Sequence, residues 1–367
     1  MVYKSIGIMS GSSLDGLDLV FAHFHEQAGK WSYEIKAADC YPYPAAWKEK
    51  LGKADTLSAR DYCLLHVDYG HYLGGQVNRF IEENNIHLQA DLIASHGHTV
   101  FHLPLQRLTT QLGDGAAIAA ETNMAVVSDL RNLDMALHGQ GAPIVPRGEQ
   151  LLFTDHKLFL NIGGIANISC HSESGVIAFD ICTANRVLNG LSSQLGKPYD
   201  EGGQWAKQGQ INEKLLEELN ALDYYKQTWP KSLANEYGTA IILPLIQHYP
   251  ISIQGKLRTY CEHISWQIRV ALEKLFTSTK NSISEHDLLI TGGGAFNHFL
   301  IALIREKLAP LHVTVSVPDN DTVKFKEALI MALLGILRWR EDVTTLASVT
   351  GAGRDSIGGA LWMGQEP

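Results

Sequence analysis

Residues 158–180 read LFLNIGGIANISCHSESGVIAFD, and this stretch decides how the rest of the chain is interpreted. An apolar run meets a turn containing Gly163 and Gly164, and two strand-like segments follow, joined by a polar turn at 171–175. Two short strands joined by a glycine-containing turn are typical of a β-hairpin. Glycines let backbone amides approach a ligand closely, and a run of such amides can bind an anion. We therefore expect the glycine turn to hold a phosphate and Asp180 to carry out proton chemistry beside it.

Length and composition narrow the class of protein. A chain of 367 residues is too long for one ordinary core, so two domains are expected. With 45% hydrophobic and 19% charged residues the chain is packed and globular. A net charge of -9 and a pI near 6.0 argue against nucleic acid or an anionic membrane as the main partner.

Cysteine usage and apolar runs predict a cytoplasmic location. The five cysteines are scattered and form no CxxC pair, which is typical of reduced thiols in the cytoplasm. The N-terminal apolar stretch is too short for a signal peptide. The longest apolar run, 328–337, is about half a membrane span and is predicted to be a core helix.

Alternating strand and helix patterns indicate an α/β architecture. Strands are predicted at 3–9, 17–24, 31–40, 92–95, 125–128, 288–290 and 313–317, and helices within 44–85 and at 116–122, 183–195, 211–222, 260–275, 298–307 and 322–339. The turn-rich segment GQGAP at 139–143 is a plausible crossing between domains.

The first glycine turn contains Gly11, Ser12 and Ser13. It is not a Walker loop, because that motif needs GxxxxGK[ST] entering a helix. Its hydroxyls and amides are suited to a phosphate, and Asp15 or Asp18 is suited to hold a metal through water. The alternative, that these residues only shape a turn, stays open.

A histidine-rich motif, HGHTVFH at 96–102, follows the predicted strand at 92–95. Three histidines at close spacing suggest a metal, but the sequence has no obvious second ligand cluster. A loop of polar side chains near a ligand is therefore the preferred interpretation, and no metal is assigned to it.

Three features follow in the second half of the chain. The helix predicted at 183–195 would place Asp180 just before its N-terminus, which would lower the pKa of the carboxyl. A strand, the turn Gly292-Gly293-Gly294 and a helix form a nucleotide-site geometry, with a plain turn as the alternative. Glu327 is expected near the start of its helix, where the dipole favours an anion, although a simple helix-end charge is the alternative.

Taken together, ten motifs resemble the 1,6-anhydro-N-acetylmuramic acid kinases, of the sugar kinase, actin and heat-shock-protein ATPase superfamily. They are MSGSSLDGLD, SHGHTVFHLP, QLGDGAAIAAET, SDLRNLD, GQGAPIVP, NIGGIANIS, FD before a helix, YDEGGQWAKQG, TGGGAFN and KEALIMALL. The resemblance covers nearly the whole chain in the order of the family. It implies two ribonuclease-H-like domains, 1–135 plus 340–367 and 136–339, with the active site in the cleft between them.

The resemblance also implies roles for individual residues. The catalytic carboxylate is Asp180. The residues expected to bind the nucleotide are Gly11, Ser12, Ser13, Asp15, Asp18, Gly163, Gly164, Asn167, Gly292, Gly293, Gly294 and Asn297. The residues expected to bind the sugar are His96, Thr99, Arg131 and Glu327. ATP and Mg²⁺ are the implied cofactors, and a homodimer is suggested.

The implied reaction joins two steps. The carboxylate takes a proton from water, which attacks the anomeric carbon and opens the 1,6-anhydro bridge, and the freed O6 takes the γ-phosphoryl group of ATP. The sequence departs from the usual family pattern at Ile181–Asn185, ICTAN where TGPGN is usual, at Ser12 in place of threonine and at His98 in place of glutamine. A kinase for another anhydro or small sugar therefore stays open, as does a nucleotide-binding switch without sugar chemistry.

Overall fold

The structure is a computed structural model that describes residues 1–11, 14, 16–172, 175–234, 236–278 and 286–364. The strands are β1 Val2–Ser10, β2 Gly16–Gln27, β3 Lys30–Pro42, β4 Leu92–Ser95, β5 His98–Leu103, β6 Leu108–Leu112, β7 Val126–Ser128, β8 Leu158–Ile162, β9 Ile165–Ser172, β10 Gly175–Thr183, β11 His286–Thr291, β12 Val313–Ser316 and β13 Ala360–Trp362.

The helices connect and cover these strands. The α-helices are α1 Ala45–Gly52, α2 Ala59–Glu83, α3 Gly115–Thr122, α4 Asn132–Ala136, α5 Val145–Leu152, α6 Asn185–Ser192, α7 Gln204–Gln208, α8 Glu213–Asn220, α9 Leu243–Gln247, α10 Ile253–Ser278, α11 His298–Leu308, α12 Asn320–Trp339 and α13 Ala347–Thr350. Short 3₁₀ turns lie at Ala54–Thr56, Pro104–Gln106, Ser193–Leu195, Glu201–Gly203, Asp223–Lys226, Gly293–Phe296 and Ala309–Leu311, and a π-helical turn at Gly238–Ile242.

Contacts divide the chain into two units. The first comprises Met1–Thr154 and Phe325–Pro367, and the second Asp155–Lys324. The domain boundaries expected from the sequence, after 135 and after 339, and the cleft between the domains stay predictions. The segment 139–143 lies inside the first unit, so its interpretation as a crossing between domains is wrong.

The sheet of the first unit has the order β13-β7-β4-β1-β2-β3. β1, β2 and β3 form an antiparallel meander, and β4 and β7 continue the sheet in parallel from β1. Side chains of β1 and β2 such as Ile6, Ile8 and Phe21 are fully buried. They form one apolar core with Leu73 and Phe80 of α2.

The sheet of the second unit has the order β10-β9-β8-β11-β12. Here β8, β9 and β10 form the antiparallel meander, and β11 and β12 continue in parallel from β8. Leaving β13 aside, both units share one strand order, 3-2-1-4-5 with the second strand antiparallel, which is the ribonuclease-H-like arrangement. The predicted fold class, α/β with two ribonuclease-H-like halves, is confirmed at the level of each unit.

Two local predictions are wrong in instructive ways. The segment after β4 is not a loop, because from His98 the chain forms β5, which pairs with β6. The helix predicted from 183 begins at Asn185, because β10 runs through Thr183.

The apolar run 328–337 is buried within α12, as predicted. In the described ranges, no helix is long and apolar enough to cross a membrane.

A buried ion pair joins α5 to α12 inside the first unit. Lys326 Nζ lies 2.6 Å from Glu149 Oε1, and the two side chains are 2% and 4% exposed. Removing one partner of a buried pair leaves the other charge poorly compensated. The contact therefore holds α12, the helix that also carries Glu327, against α5.

We expect Lys326→Met to lower the free energy of unfolding by about 3–5 kcal/mol, the usual effect of breaking a buried pair. Chemical unfolding followed by circular dichroism measures the loss. The double variant Lys326→Met, Glu149→Leu should recover most of it, because the uncompensated carboxylate is gone. A single variant as stable as the double variant would contradict this account.

Candidate active site

A row of polar residues crosses the sheet of the second unit. In the strand register Asp180 of β10 lies opposite Asn167 of β9, which in turn lies opposite Asn161 of β8. Thr291 of β11 pairs with Asn161 on the other side. Residues directly opposite each other in a sheet project from the same face. The predicted catalytic acid and Asn167 are therefore neighbours, and Asn161 is a further candidate that the sequence interpretation did not include.

Three hydrogen bonds hold Asp180. Its Oδ2 accepts from the backbone N–H of Leu233 at 2.8 Å. Its own N–H donates to the carbonyl of Lys231 at 3.3 Å, and its carbonyl accepts from the hydroxyl of Tyr224 at 2.6 Å. Both the backbone and the carboxylate of the acid are thus fixed by residues more than forty positions later in the chain.

Burial raises the pKa of Asp180 to about 6, although the Leu233 N–H and the charge of Lys231 both act to lower it. The expected lowering by a helix N-terminus is wrong, because α6 begins only at Asn185 and the dipole acts within a helix's first turn. With a pKa near 6, about ten carboxyl groups are ionised for each protonated one at pH 7. Such a group accepts and returns a proton near neutral pH.

The glycine turn after β8 fits a ligand-facing role. The carbonyls of Gly163 and Gly164 accept from the N–H groups of Asn185 and Ala184, at 3.0 and 2.8 Å, so the turn is tied to the start of α6. A Cβ built on Gly163 would have its nearest described neighbour 3.6 Å away, and one on Gly164 3.7 Å away. A side chain at either position would make only ordinary van der Waals contact, so packing does not require glycine here.

The triple-glycine turn packs directly against the end of β8, where the Gly163-Gly164 turn begins. Gly292 has a φ of +81°, and a Cβ on it would collide with Asn161 Oδ1. A Cβ on Gly294 would collide with the side chain of Ile162. By contrast, a Cβ on Gly293 would lie 3.6 Å from Asn185 Nδ2. The two predicted nucleotide turns are therefore brought together at one end of this sheet.

Asn297 has a structural task in addition to the predicted one. Its side-chain oxygen accepts from the N–H of Leu300 at 3.0 Å and caps α11. Its predicted contact with the nucleotide stays a prediction.

A second cluster lies in the first unit, around Arg131. The Nδ1 of His96 bonds the carbonyl of Gly97 at 2.9 Å and must donate to it, so Nε2 is an acceptor and takes the Nε–H of Arg131 at 2.9 Å. Burial and the neighbouring guanidinium lower the pKa of His96 to about 3, which keeps the ring neutral. Arg131 also donates to the carbonyl of Gly141 at 2.6 Å.

Carboxylates face this guanidinium. Burial lowers the pKa of Arg131 to about 10, while the charges of Glu327 and Asp134 act to raise it. The structure therefore brings together His96, Arg131 and Glu327, three of the four predicted sugar residues. Glu327 is the eighth residue of α12, and its expected place near the helix start is wrong.

Thr99, the remaining predicted sugar residue, bonds Gln111, while Asp134 and Gly141 extend the cluster around Arg131. Thr99 Oγ1 accepts from Gln111 Nε2 at 3.3 Å. Asp134 accepts from the N–H of Gly141 at 2.8 Å and from the hydroxyl of Thr350 at 2.7 Å, which orients the carbonyl that Arg131 binds. Asp134 and Gly141 were not assigned to the site, although both lie in the motifs SDLRNLD and GQGAPIVP.

The first glycine turn is described only in part. Ser12, Ser13 and Asp15 lie outside the described residues, and the carbonyl of Gly11 accepts from Leu14 N–H at 3.4 Å. Asp18, in β2, lies opposite Met9 and Cys40 in the register. The predicted nucleotide contacts of this turn stay predictions.

Ser10, the residue before this turn, is held by two side-chain hydrogen bonds. Ser10 Oγ accepts from the hydroxyl of Tyr43 at 2.8 Å and bonds His98 Nδ1 at 3.0 Å. Each histidine of the HGHTVFH motif bonds a different group, since His102 Nδ1 contacts Thr109 Oγ1 at 3.3 Å. In the part of the chain that the structure describes, no group of three or more His, Cys, Asp or Glu is placed to hold a metal.

We expect Asp180→Asn to stabilise the protein at neutral pH. The native pKa near 6 lies above the ordinary value of 3.8, so the native state binds the proton more tightly than the unfolded state. The stabilisation from Asp180 is therefore fully present below about pH 4 and is lost as the pH rises through 6. A shift of about 2 units corresponds to at most about 3 kcal/mol.

Urea unfolding of both proteins between pH 4 and pH 8 tests this expectation. The asparagine oxygen can still accept from the Leu233 N–H, so the comparison isolates the charge. The stability advantage of the variant should grow between pH 4 and pH 7. An advantage that stays constant over this range would show that the acid is not perturbed by burial.

Comparison with known proteins connects this geometry to a family. The profile of the family described as anhydro-N-acetylmuramic acid kinase matches residues 3–364. The kinase of that name from Gloeobacter violaceus is 34% identical over 370 residues, covering 95% of this chain and 96% of the relative. The one from Vibrio parahaemolyticus is 33% identical over 371 residues, covering 97% of both chains.

Solved structures that match this chain have much lower sequence identity. The activator of the 2-hydroxyisocaproyl-CoA dehydratase from Clostridium difficile with bound ADPNP superimposes with a TM-score of 0.44 at 12% identity, covering 92% of this chain and 96% of that one. The full-length match of the family profile and the 33–34% identity of the relatives establish the kinship. The chain belongs to the anhydro-N-acetylmuramic acid kinase family.

Proposed function

We propose that the protein opens the anhydro bridge of 1,6-anhydro-N-acetylmuramic acid with water and phosphorylates the freed O6 from ATP. The products are N-acetylmuramic acid 6-phosphate and ADP, as in the recycling of cell-wall fragments. The observation that carries this proposal is Asp180, a partly buried acid with a pKa of about 6, aligned with two asparagines beside the paired glycine turns.

Asp180 acts as the general base. Its carboxylate takes a proton from a water molecule, and the water oxygen forms a bond to the anomeric carbon. The bond between that carbon and O6 breaks, and O6 forms a bond to the γ-phosphorus as the bond to the ADP oxygen breaks. Asp180 then returns its proton to solvent. A base with a pKa near the working pH is efficient in such a transfer.

The nucleotide is assigned to the second unit's glycine turns. Gly163, Gly164 and Gly293 expose backbone where an added Cβ would meet no described atom closer than 3.6 Å, which suits close approach of phosphate oxygens. Asn167 and Asn297 are proposed to contact the nucleotide. When bound, Mg²⁺ would neutralise charge on the phosphates. Asp18 offers the carboxylate oxygen that Mg²⁺ prefers and is proposed to hold it through water.

The sugar is assigned to the cluster around Arg131. Its guanidinium is a suitable partner for the carboxylate of a muramic acid, and Glu327 is a suitable acceptor for sugar hydroxyl groups. Neutral His96 fixes the guanidinium plane through its Nε2. Thr99 adds a hydroxyl. The proposal requires this cluster and Asp180 to act on one substrate, which stays a prediction.

The unusual ICTAN segment can be explained by core packing, without a change of sugar. The residues at the two usual glycine positions, Cys182 and Ala184, are fully buried in the apolar core of the second unit. The substitution therefore fills the core and leaves the row that ends on Asp180 unchanged. A panel of anhydro and free sugars tests the alternative, and sugar-independent ATP hydrolysis without a phosphorylated product would favour a nucleotide switch.

A homodimer and a cytoplasmic location are also proposed. The dimer follows only from the sequence resemblance. The location rests on the scattered cysteines of the sequence, which form no CxxC pair and are typical of reduced thiols in the cytoplasm.

We expect Asp180→Asn to lose at least about 10²-fold in turnover, because an amide cannot accept the proton of the attacking water. Incubation with ATP, Mg²⁺ and the anhydro sugar, followed by mass spectrometry, should show the gain of both water and phosphate with the wild-type enzyme. Nearly full activity of the variant would exclude Asp180 as the base. Gain of phosphate without water would exclude the bridge-opening step.

A matched pair of glycine variants tests the nucleotide assignment. Gly164→Ala should raise KM for ATP by about tenfold or more, equivalent to about 1.4 kcal/mol, while leaving the melting temperature unchanged or raised. Gly294→Ala should lower the melting temperature, because its Cβ would collide with Ile162. An unchanged KM for ATP in a folded Gly164→Ala enzyme would show that the nucleotide does not bind at this turn.

A further inference from the structure

A segment at 229–233, here called the strap, covers the outer edge of β10. In the sheet order β10 is the terminal strand, so its outer backbone groups have no strand partner in that sheet. The strap supplies partners at Asp180, whose N–H donates to the Lys231 carbonyl and whose carboxylate accepts from Leu233. The Trp229 ring stacks on Phe179 with centroids 5.4 Å apart and planes 8° apart. The strap is therefore built around the acid.

The side chain of Lys231 is held close to the same acid. Its Nζ lies 4.3 Å above the ring of Tyr224 and 5.7 Å from the ring centre of Phe179. It also donates to the carbonyl of Tyr224 at 3.4 Å. Because the Tyr224 hydroxyl donates to the Asp180 carbonyl, the cation, the ring and the acid are linked in one group. A cation over an aromatic face is held by the ring's quadrupole.

We propose that Lys231 is a positioning residue, which holds the strap on β10 and supplies the positive charge that keeps the Asp180 carboxylate ready to accept a proton. The catalytic consequence rests on the proposed function, but the coupling between the two side chains does not.

The charges around Asp180 support this assignment. Lys231 lowers the pKa of Asp180, against the larger effect of burial, and Cys182 and Tyr224 are the other titratable groups that face the acid. Burial and the nearby Lys274 lower the pKa of Lys231 to about 8. The ammonium is therefore charged throughout the range near pH 6 in which Asp180 titrates. Without the Lys231 ammonium, the rise that burial causes in the pKa of Asp180 would be opposed by the Leu233 N–H alone.

The test compares Lys231→Met with Lys231→Arg, and uses Lys274→Met as the control. Lys274 donates to the carbonyl of Tyr225 at 3.1 Å and lowers the pKa of Lys231, whereas the nearby cation that lowers the pKa of Asp180 is Lys231. The acid limb of kcat should move to higher pH by about 1 unit in Lys231→Met, the lower end of the usual effect of an opposite charge. It should stay in place in Lys274→Met and return in Lys231→Arg.

A readout without turnover separates this inference from the proposed function. The unfolding free energies of the protein with Asp180 and of its Asp180→Asn variant are compared from pH 4 to pH 8. The comparison is made in the wild type and in each lysine variant. The midpoint of the pH dependence of the difference between the two free energies lies between the unfolded and the native pKa of Asp180, so it rises when the native pKa rises. A midpoint that rises in Lys231→Met but not in Lys274→Met supports the coupling, even if no sugar is phosphorylated.

Two results would overturn the inference. One is a midpoint that does not move in Lys231→Met while the melting temperature falls, because Lys231 would then only pack the strap. The other is an equal shift in Lys274→Met, because the effect would then be a general one of removing charge. Absence of any phosphorylated sugar with the wild-type enzyme would instead count against the proposed function alone.

Discussion

A slip of one residue between β9 and β10 would turn Asp180 to the opposite face of its sheet and separate it from Asn167. The bulge between Asp180 and Cys182 lies just after the paired position, so the register is kept up to the acid and changes only beyond it. Ile181, within the bulge, and Cys182, just after it, are both buried in the core. The polar row, the glycine turns beside it and the strap on its outer edge all depend on this register.

Two opposing electrostatic effects meet at Asp180. Removing a carboxylate from water favours its protonated form, while one N–H donor and one nearby cation favour the charged form. Burial is the larger effect, and the pKa settles near 6. A fully exposed aspartate would be a weaker base, and one buried without partners would stay protonated at neutral pH. The intermediate environment gives an acid that is ionised at neutral pH and still basic enough to take a proton from water.

Much of this arrangement could be predicted from local sequence patterns. Apolar runs ending in glycine turns located β1, β8 and β11, and the polar turn at 171–175 located the hairpin that carries Asp180. Those signals are local, because strand and turn propensities act over a few residues. The errors arose where tertiary pairing overrides propensity. β10 extends past Asp180 because β9 offers partners through Ile165, and this moved the start of the helix away from the acid. Burial then raises the pKa of Asp180, in the direction opposite to the one expected.

Other parts of the site carried no local signal. Leu233 and Lys231 reach Asp180 across about fifty residues of chain, and no periodicity reveals such a contact. The same holds for Gly141, whose carbonyl meets Arg131 only after the chain has turned around Asp134. Asn161 was visible in the sequence as part of a turn, but its place in the row follows only from the pairing of β8 with β9.

The strap on the outer edge of β10 also bears on how this protein behaves in a crowded solution. A terminal strand with open N–H and C=O groups is a template for pairing with a strand from another molecule. Residues 229–233 occupy part of that template, and the stacked Trp229 shields its apolar flank. The segment that holds the acid thus also blocks strand-to-strand pairing along the part of the edge that it occupies.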